Sequence, residues 1–374
     1  MKVIILFTYG ISLSDWENSG LLDREVKLYN FLHDNYGVKF TFITFGDKSD
    51  LRFQEKIPNI KIVPLYEFIN KSKSKSIELF RSLFFAFRLK KLIPISNSII
   101  KTNQLWGAWI GILLKIITKN KLFIRTGYDL LTFKKNEGKS KIKIFFFKLL
   151  TNNALKFSNL YSVTSNTDLI SLKSTFPKYQ NKIILLPNWV EIENNDSSSS
   201  EDVKLISVGR LEYQKNYDYL IKSFANSNFE LNIIGEGSLK ETLIDTAKKT
   251  NSKVNFLGSI NNKELIDTLK KYEYFISSTF YEGNPKAILE ALSVGCIVVA
   301  PNVKGVNEII KDGYNGFLYS LKDTNLNELI LKLNNIDKSE IKENAKNYIK
   351  NNHELSLLAN KEIQAYKELL NLLE

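Results

Sequence analysis

Histidine and cysteine are almost missing from this chain of 374 residues, which has two His, His33 and His353, and one Cys, Cys296. A single thiol excludes an intrachain disulfide and fits a reducing compartment. Cys296 falls at an expected helix-to-strand junction and reads as a buried structural thiol. Each His lies toward the end of an expected helix, a common place for a cation or a carbonyl-capping ring. Neither His has Cys or carboxylate neighbours at metal-ligand spacing, so a structural zinc site has no support. No Asp-x-Asp pair occurs, and neither a metal nor a cofactor is expected. No run approaches the ~20 apolar residues of a membrane span. The opening KVIILFTYG lacks a small-residue cleavage site and reads as a first β-strand, not as a signal core. The expected location is the cytoplasm, with a peripheral position on the inner face of the cell membrane as a further option. No repeat of roughly 20–50 residues is present, which excludes a solenoid. Acidic residues are also missing from 79 to 128.

What is present fits a globular protein: 44% hydrophobic and 25% charged residues, ordinary values for a soluble fold. At this length two domains are expected. The net charge is +12 and lies unevenly. Up to residue 195 there are 30 Lys and Arg against 15 Asp and Glu, and the remainder is slightly acidic. An anionic partner of the first half follows. Two stretches concentrate the charge, 71–93 (KSKSKSIELFRSLFFAFRLKKLI) and 133–150 (FKKNEGKSKIKIFFFKLL). Ile77, Phe80, Phe84 and Phe87 share one helical face. Phe80, Phe84 and Phe145 to Phe147 are expected in the core, while the flanking Lys and Arg face an anionic membrane surface. Nucleic-acid binding is not expected, because no binding module is recognisable.

Apolar runs and helical periodicities alternate along the whole chain, the signature of an α/β fold with parallel sheets. In the first half, strands are expected at 2–7, 39–45, 60–64, 122–126 and 183–192. Residues 193–202, ENNDSSSSED, are polar and without period, and read as a linker. The expected organisation is a first domain 1–192, the linker 193–202, a second domain 203–350 and a closing helical segment 351–374. In the second domain, strands are expected at 204–208, 231–234, 254–257, 274–277, 297–300 and 316–319, with a short helix near 305–311.

Three stretches carry candidate chemistry. VGRLEYQKN at 208–216 leaves a strand with Gly209, which allows close backbone approach, and the cations Arg210 and Lys215. Cations beside a helix start suit a diphosphate, with Arg as a bidentate fork and Lys as a point charge. The second stretch, EYFISSTFYEGNPKAILEALSVGCIVVA at 273–301, reads as strand–loop–helix–strand. Pro285 suits the first helical position. Glu282 stands in the loop and Glu290 in the helix; a carboxylate can accept two hydroxyl bonds, so the pair suits a sugar ring and a ribose. In the third, LNIIGEGSLKETL, Gly235 and Gly237 occupy a strand-to-helix turn without the full dinucleotide-binding spacing.

Together, VGRLEYQKNYDYLI, IIGEGSLKETL, VNFLGSI and YEGNPKAILEALSVGCIVVAPNVKGVNEIIKDGYNGFLY resemble the retaining glycosyltransferase family 4, glycosyl transferases group 1, of the GT-B fold. IILLPNWVEI resembles the family's last strand before its linker, and Ser19-Gly20 its amino-terminal glycine loop. The resemblance implies two Rossmann-like doubly wound domains facing a cleft, with a carboxy-terminal helix returning to the first. It implies a nucleotide sugar as donor, held mainly by the second domain, and a glycan or lipid-linked acceptor at the first. Arg210 and Lys215 would neutralise the departing diphosphate, Glu282 would bind the donor sugar and Glu290 the ribose. Backbone at Gly209, Gly20, Gly283, Asn284, Pro285, Lys286 and Ala287 would face the donor. No protein nucleophile is implied. Many relatives carry a His after the strand at 122–126; here stand Arg125, Thr126, Gly127, Tyr128 and Asp129. That role would fall to the Thr126-Gly127 backbone or to Arg125. Two alternatives are a non-catalytic homologue acting as a binding partner and a GT-B-fold sugar-nucleotide epimerase.

Overall fold

The computed structural model describes residues 1–92, 97–128, 140–192 and 204–371. The expected linker 193–202 lies outside the described residues, as do Asp129 and the start of the stretch 133–150. Contacts divide the chain into a first unit, Met1–Pro187 with Ala359–Glu374, and a second unit, Asn188–Leu358.

In the first unit, the β-branched and aromatic runs form Lys2–Leu6 (β1), Lys39–Thr44 (β2), Ile60–Pro64 (β3), Ser98–Thr102 (β4), Lys121–Arg125 (β5), Leu160–Val163 (β6) and Ile183–Leu185 (β7). They make one parallel sheet in the order β3-β2-β1-β4-β5-β6-β7. Val3, Ile4, Ile5 and Leu6 are all buried, as a strand covered by helices on both faces requires. The last strand stops at Leu185 instead of running to 192, because Pro187 has no N–H for the ladder.

The stretch 71–93 folds, over its described part, as two short helices, Lys75–Ser82 and Phe85–Leu92. Their inward stripe is Glu78, Ser82, Phe85, Ala86 and Leu89. Helices of this length bury one stripe only, so the opposite face is left outside. Phe80 is 64% exposed, Phe84 55% and Phe145, in the helix Lys141–Phe157, 68%. The expected core placement of these rings is therefore wrong. Phe146 is also exposed, and Phe147 alone is half-buried, its ring 6.2 Å from that of Trp106. Lys90, Lys91, Arg88, Lys141, Lys143 and Lys148 are exposed beside them. No helix among the described residues is long and apolar enough to cross a membrane.

The helix Leu355–Leu370 seals a charged cluster against the first sheet. Lys101, in β4, is fully buried and pairs with Glu362, which also accepts from the Tyr366 hydroxyl. Arg125, at the end of β5, stands 3.9 Å from the second Glu362 oxygen.

The second unit holds Lys204–Val208 (β8), Glu230–Ile234 (β9), Lys253–Gly258 (β10), Tyr274–Ile276 (β11), Ile297–Pro301 (β12) and Phe317–Tyr319 (β13). All are parallel, in the order β10-β9-β8-β11-β12-β13. One face packs Ile206, Phe275 and Val298 against Ile288, Leu289 and Leu292 of the helix Lys286–Ser293. The other packs Leu205, Tyr274 and Val299 against Leu220 and Ile221. The expected helix near 305–311 is instead a run of turns, opened by Gly305 at φ +81, a backbone geometry that a right-handed helix cannot continue. Strand order reverses between β8 and β11, and in such sheets ligands sit outside the carboxyl ends of the strands at that point.

Candidate functional site

Both chemistry-bearing loops of the second unit leave the sheet at this switch point: 209–216 follows β8 and 277–285 follows β11. They are stitched together by backbone and side-chain bonds. Phe280 N–H donates to the Gln214 carbonyl at 2.9 Å, Ser278 Oγ to the Lys215 carbonyl at 2.8 Å, and Thr279 Oγ1 to Gln214 O at 3.1 Å. This register brings the Lys215 ammonium to Glu282, Nζ to Oε1 2.5 Å. Gln214 Nε2 donates to the Tyr281 carbonyl at 2.7 Å and stands 3.3 Å from the other Glu282 oxygen. The Lys215 side chain remains 20% exposed and that of Glu282 9%.

Three glycines make the approach possible. A Cβ on Gly209 would meet Lys215 Cε at 3.1 Å, so the lysine stem lies on bare backbone. A Cβ on Gly235, at φ +144, would fall 2.0 Å from the Gly209 carbonyl. Gly305 bears the same constraint toward the Glu282 carbonyl, at 2.3 Å. The Gly235 and Gly237 turn thus serves close backbone contact, Gly237 abutting Leu211 O. Arg210 is exposed and, among the described residues, makes no ion pair. Glu212 beside it accepts from Ser238 N–H and Oγ, and these bonds hold its carboxyl below the usual range.

The helix Lys286–Ser293 starts at this edge. Ile288 N–H and Leu289 N–H bond back to Pro285 O. The N–H groups of Gly283, Asn284 and Ala287 make no hydrogen bond among the described residues, as expected for a helix start. Such a start favours negative charge. The Asn284 side chain is committed elsewhere: its Oδ1 accepts from Asn188 N–H at 2.8 Å. Lys286 Nζ lies 4.3 Å from the centroid of the Trp189 ring. Glu290 is buried, 3% exposed, and Asn262 Nδ2 donates to its Oε1 at 3.0 Å.

The structure therefore brings Gly209, Lys215 and Glu282 into one cluster, while Arg210, next after Gly209 in the chain, is exposed. It sets Gly283, Asn284, Pro285, Lys286 and Ala287 on the adjoining helix start, and Glu290 on the buried face of that helix. Gly20 belongs to the first unit, in the turn after the helix Leu13–Asn18, with φ +68. Gln214, Asn188, Asn262 and Gly305 are participants that sequence reading missed. Gln214 stood inside a quoted stretch, but nothing in its spacing set it apart. His353 caps the helix Ser339–Asn352 and bonds through Nδ1 to the Asn188 carbonyl at 2.8 Å. Cys296 is buried, donates to the Leu269 carbonyl, and burial pushes its thiol pKa up to about 12, which makes it inert at neutral pH.

Residues 191–355 match the family model described as glycosyl transferases group 1. Over 203 residues the chain is 31% identical to the Campylobacter jejuni N-acetylgalactosamine-N,N'-diacetylbacillosaminyl-diphospho-undecaprenol 4-alpha-N-acetylgalactosaminyltransferase, covering 52% of this chain and 54% of that one. Over 190 residues it is 31% identical to the Staphylococcus aureus capsular polysaccharide biosynthesis glycosyltransferase CapH, covering 47% and 51%. The chain thus spans about half the length of these two curated relatives. Among solved structures, sucrose-phosphate synthase from Thermosynechococcus elongatus superposes with a TM-score of 0.82 at 17% identity, over 100% of both chains. That likeness shows the fold.

Proposed function

We propose that this chain, which carries a domain of the glycosyl transferases group 1 family on a GT-B fold, moves a sugar from a nucleoside-diphosphate sugar to a glycan or lipid-linked glycan during surface polysaccharide synthesis. The observation that carries the reading is the Lys215–Glu282 pair at the switch point of the second sheet, 2.5 Å apart and with the lysine side chain 20% exposed. A lysine whose only charged partner among the described residues is a carboxylate at such a strand edge can turn to a diphosphate as it arrives. Glu282, bridged to Gln214, then has an oxygen for a sugar hydroxyl. Arg210 offers the second cation, and the helix start at Lys286 offers N–H groups to phosphate oxygens. Glu290 is assigned to the ribose, its orientation held by Asn262.

The reaction is read as retaining. The bond from the anomeric carbon to the phosphate oxygen breaks, and the acceptor oxygen bonds to that carbon on the same face. The acceptor proton passes to the departing diphosphate. Lys215 and Arg210 stabilise the charge that develops there, the kind of electrostatic contribution that dominates many enzymes. In this reading the cations, not a metal, carry the diphosphate charge.

The acceptor side of the reading rests on two features. The exposed aromatic stripe of Phe80, Phe84 and Phe87 and the rings of Phe145 and Phe146 stand among exposed Lys and Arg in the first unit. An amphipathic surface of this kind docks on anionic lipid. The Campylobacter relative is named for an undecaprenol-linked acceptor. A lipid-linked acceptor and a peripheral position on the inner membrane face follow.

A panel of UDP-, GDP- and ADP-sugars, read by nucleotide release with and without lipid-linked acceptor, tests the reading. Release with one base, raised by an acceptor, is expected. Binding of a nucleotide sugar with no release across a broad acceptor panel would leave a binding protein instead.

A further inference from the structure

The chain enters the second unit through Asn188, Trp189 and Val190, and each residue holds something different. Asn188 N–H donates to Asn284 Oδ1 at 2.8 Å, and Asn188 Nδ2 donates to the Asn284 carbonyl at 2.6 Å. Trp189, which is buried, receives the Lys286 ammonium on its ring face at 4.3 Å. Val190 N–H donates to the His353 carbonyl at 2.8 Å, and its own carbonyl accepts from Leu355 N–H at 3.0 Å. His353 Nδ1 closes the circuit on the Asn188 carbonyl at 2.8 Å. A carbonyl only accepts, so Nδ1 carries the proton.

These grips fall on the two residues that flank Pro285. Proline has no N–H with which to hold its own loop, and around it the N–H groups of Gly283, Asn284 and Ala287 make no hydrogen bond among the described residues. Asn284 and Lys286 are thus held by their side chains and a carbonyl while the N–H groups of Gly283, Asn284 and Ala287 stay available. Preorganised donors need such support, because an error of about 1 Å in placement can cost on the order of a hundredfold in rate.

We infer that Asn188, Trp189 and His353 are positioning residues, a clamp that sets the N–H groups of Gly283, Asn284 and Ala287 to receive an anionic ligand. The ligand, under the reading above on which this part rests, is the diphosphate of the donor. None of the three touches it; they act through Asn284 and Lys286.

Hydrogen exchange on the free protein tests the clamp without reference to the activity. In Asn188→Ala, the amides of Ile288 and Leu289, which bond back to Pro285 O, are expected to exchange about tenfold faster, with the strands of the second sheet unchanged. Trp189→Leu is expected to give a smaller rise, confined to the same segment. Nucleotide-sugar binding should weaken in parallel, about tenfold for Asn188→Ala, with Asn188→Ser recovering part of it through a hydroxyl donor. Unchanged exchange at Ile288 and Leu289, or a uniform rise across the whole unit, would overturn the clamp. If wild type takes up no UDP-, GDP- or ADP-sugar, the transferase reading falls, and the exchange pattern still decides the clamp.

Discussion

Two Lys–Glu pairs in this protein use the same chemistry for opposite ends. Lys101 and Glu362 are 0% and 2% exposed, locked between a central strand and the last helix of the first unit. Lys215 and Glu282 are 20% and 9% exposed, at the carboxyl edge of the second sheet. The sealed pair, joined by Arg125 and Tyr366, is shut off from solvent. Burial pulls the Lys101 ammonium below its usual value despite Glu362. Burial alone would raise the Glu362 carboxyl, but Lys101 and then Arg125 outweigh it and hold it low. The open pair is the one that can exchange its partner for a ligand. What separates the two pairs is access, not the identity of the residues.

The largest effect expected from breaking this contrast is on the sealed pair. Glu362→Ala leaves an uncompensated buried ammonium, and unfolding measured in urea should lose about 3–5 kcal/mol. The double replacement Lys101→Met with Glu362→Leu should return most of it, since a buried pair exchanged for apolar residues is often neutral. In the open pair the sign of the experiment reverses: Glu282→Gln should cost about a hundredfold or more in turnover while unfolding shifts little. A large stability loss at Glu282, or a turnover loss confined to Glu362, would erase the distinction.

Acid sharpens the same comparison at smaller scale. The folded pKa of Glu362 lies below its unfolded value, so the unfolded chain takes the proton first as pH falls. Its contribution is complete above about pH 4.3 and is lost as pH drops through the folded value, at ~1.4 kcal/mol per pH unit. Urea unfolding at about pH 6 and about pH 3.5 should show a steeper loss in wild type than in Glu362→Gln.

Lys215 and Glu282 were each singled out in the sequence, though not as a pair, and Lys101 and Glu362 were not. Glu282 and Lys215 lie in polar loops that interrupt strongly apolar strands, so their location at strand ends could be read from local pattern. Lys101 sits in the strand Ser98–Thr102 with nothing local to mark it, and Glu362 is 261 positions away. Only tertiary packing pairs them. The alternating strands of both sheets were likewise readable, because parallel strands bury both faces and appear as apolar runs. The aromatics at 80, 84 and 145 were misjudged because a run of Phe suggests a core, whereas exposure depends on which helical stripe the sheet covers. The turns at 305–311 carry apolar spacing suited to a helix, and the positive φ at Gly305 overrides it.

The smallest expected effect concerns that stripe. Replacing Phe80 and Phe84 together with Ser should weaken sedimentation with anionic vesicles roughly tenfold, from the apolar area lost. Each Lys or Arg removed from 88–91 should cost ~1 kcal/mol of vesicle binding, diminishing with salt. Binding indifferent to anionic lipid and salt would remove the membrane from the account.

The most direct measurement of the central claim is calorimetric binding of a nucleoside diphosphate, screened over UDP, GDP and ADP, to wild type and to Lys215→Ala. A freed cation at the switch point predicts binding of one of the three by wild type and a loss of at least about tenfold in the variant, with folding preserved. Equal affinity in the two proteins would contradict it.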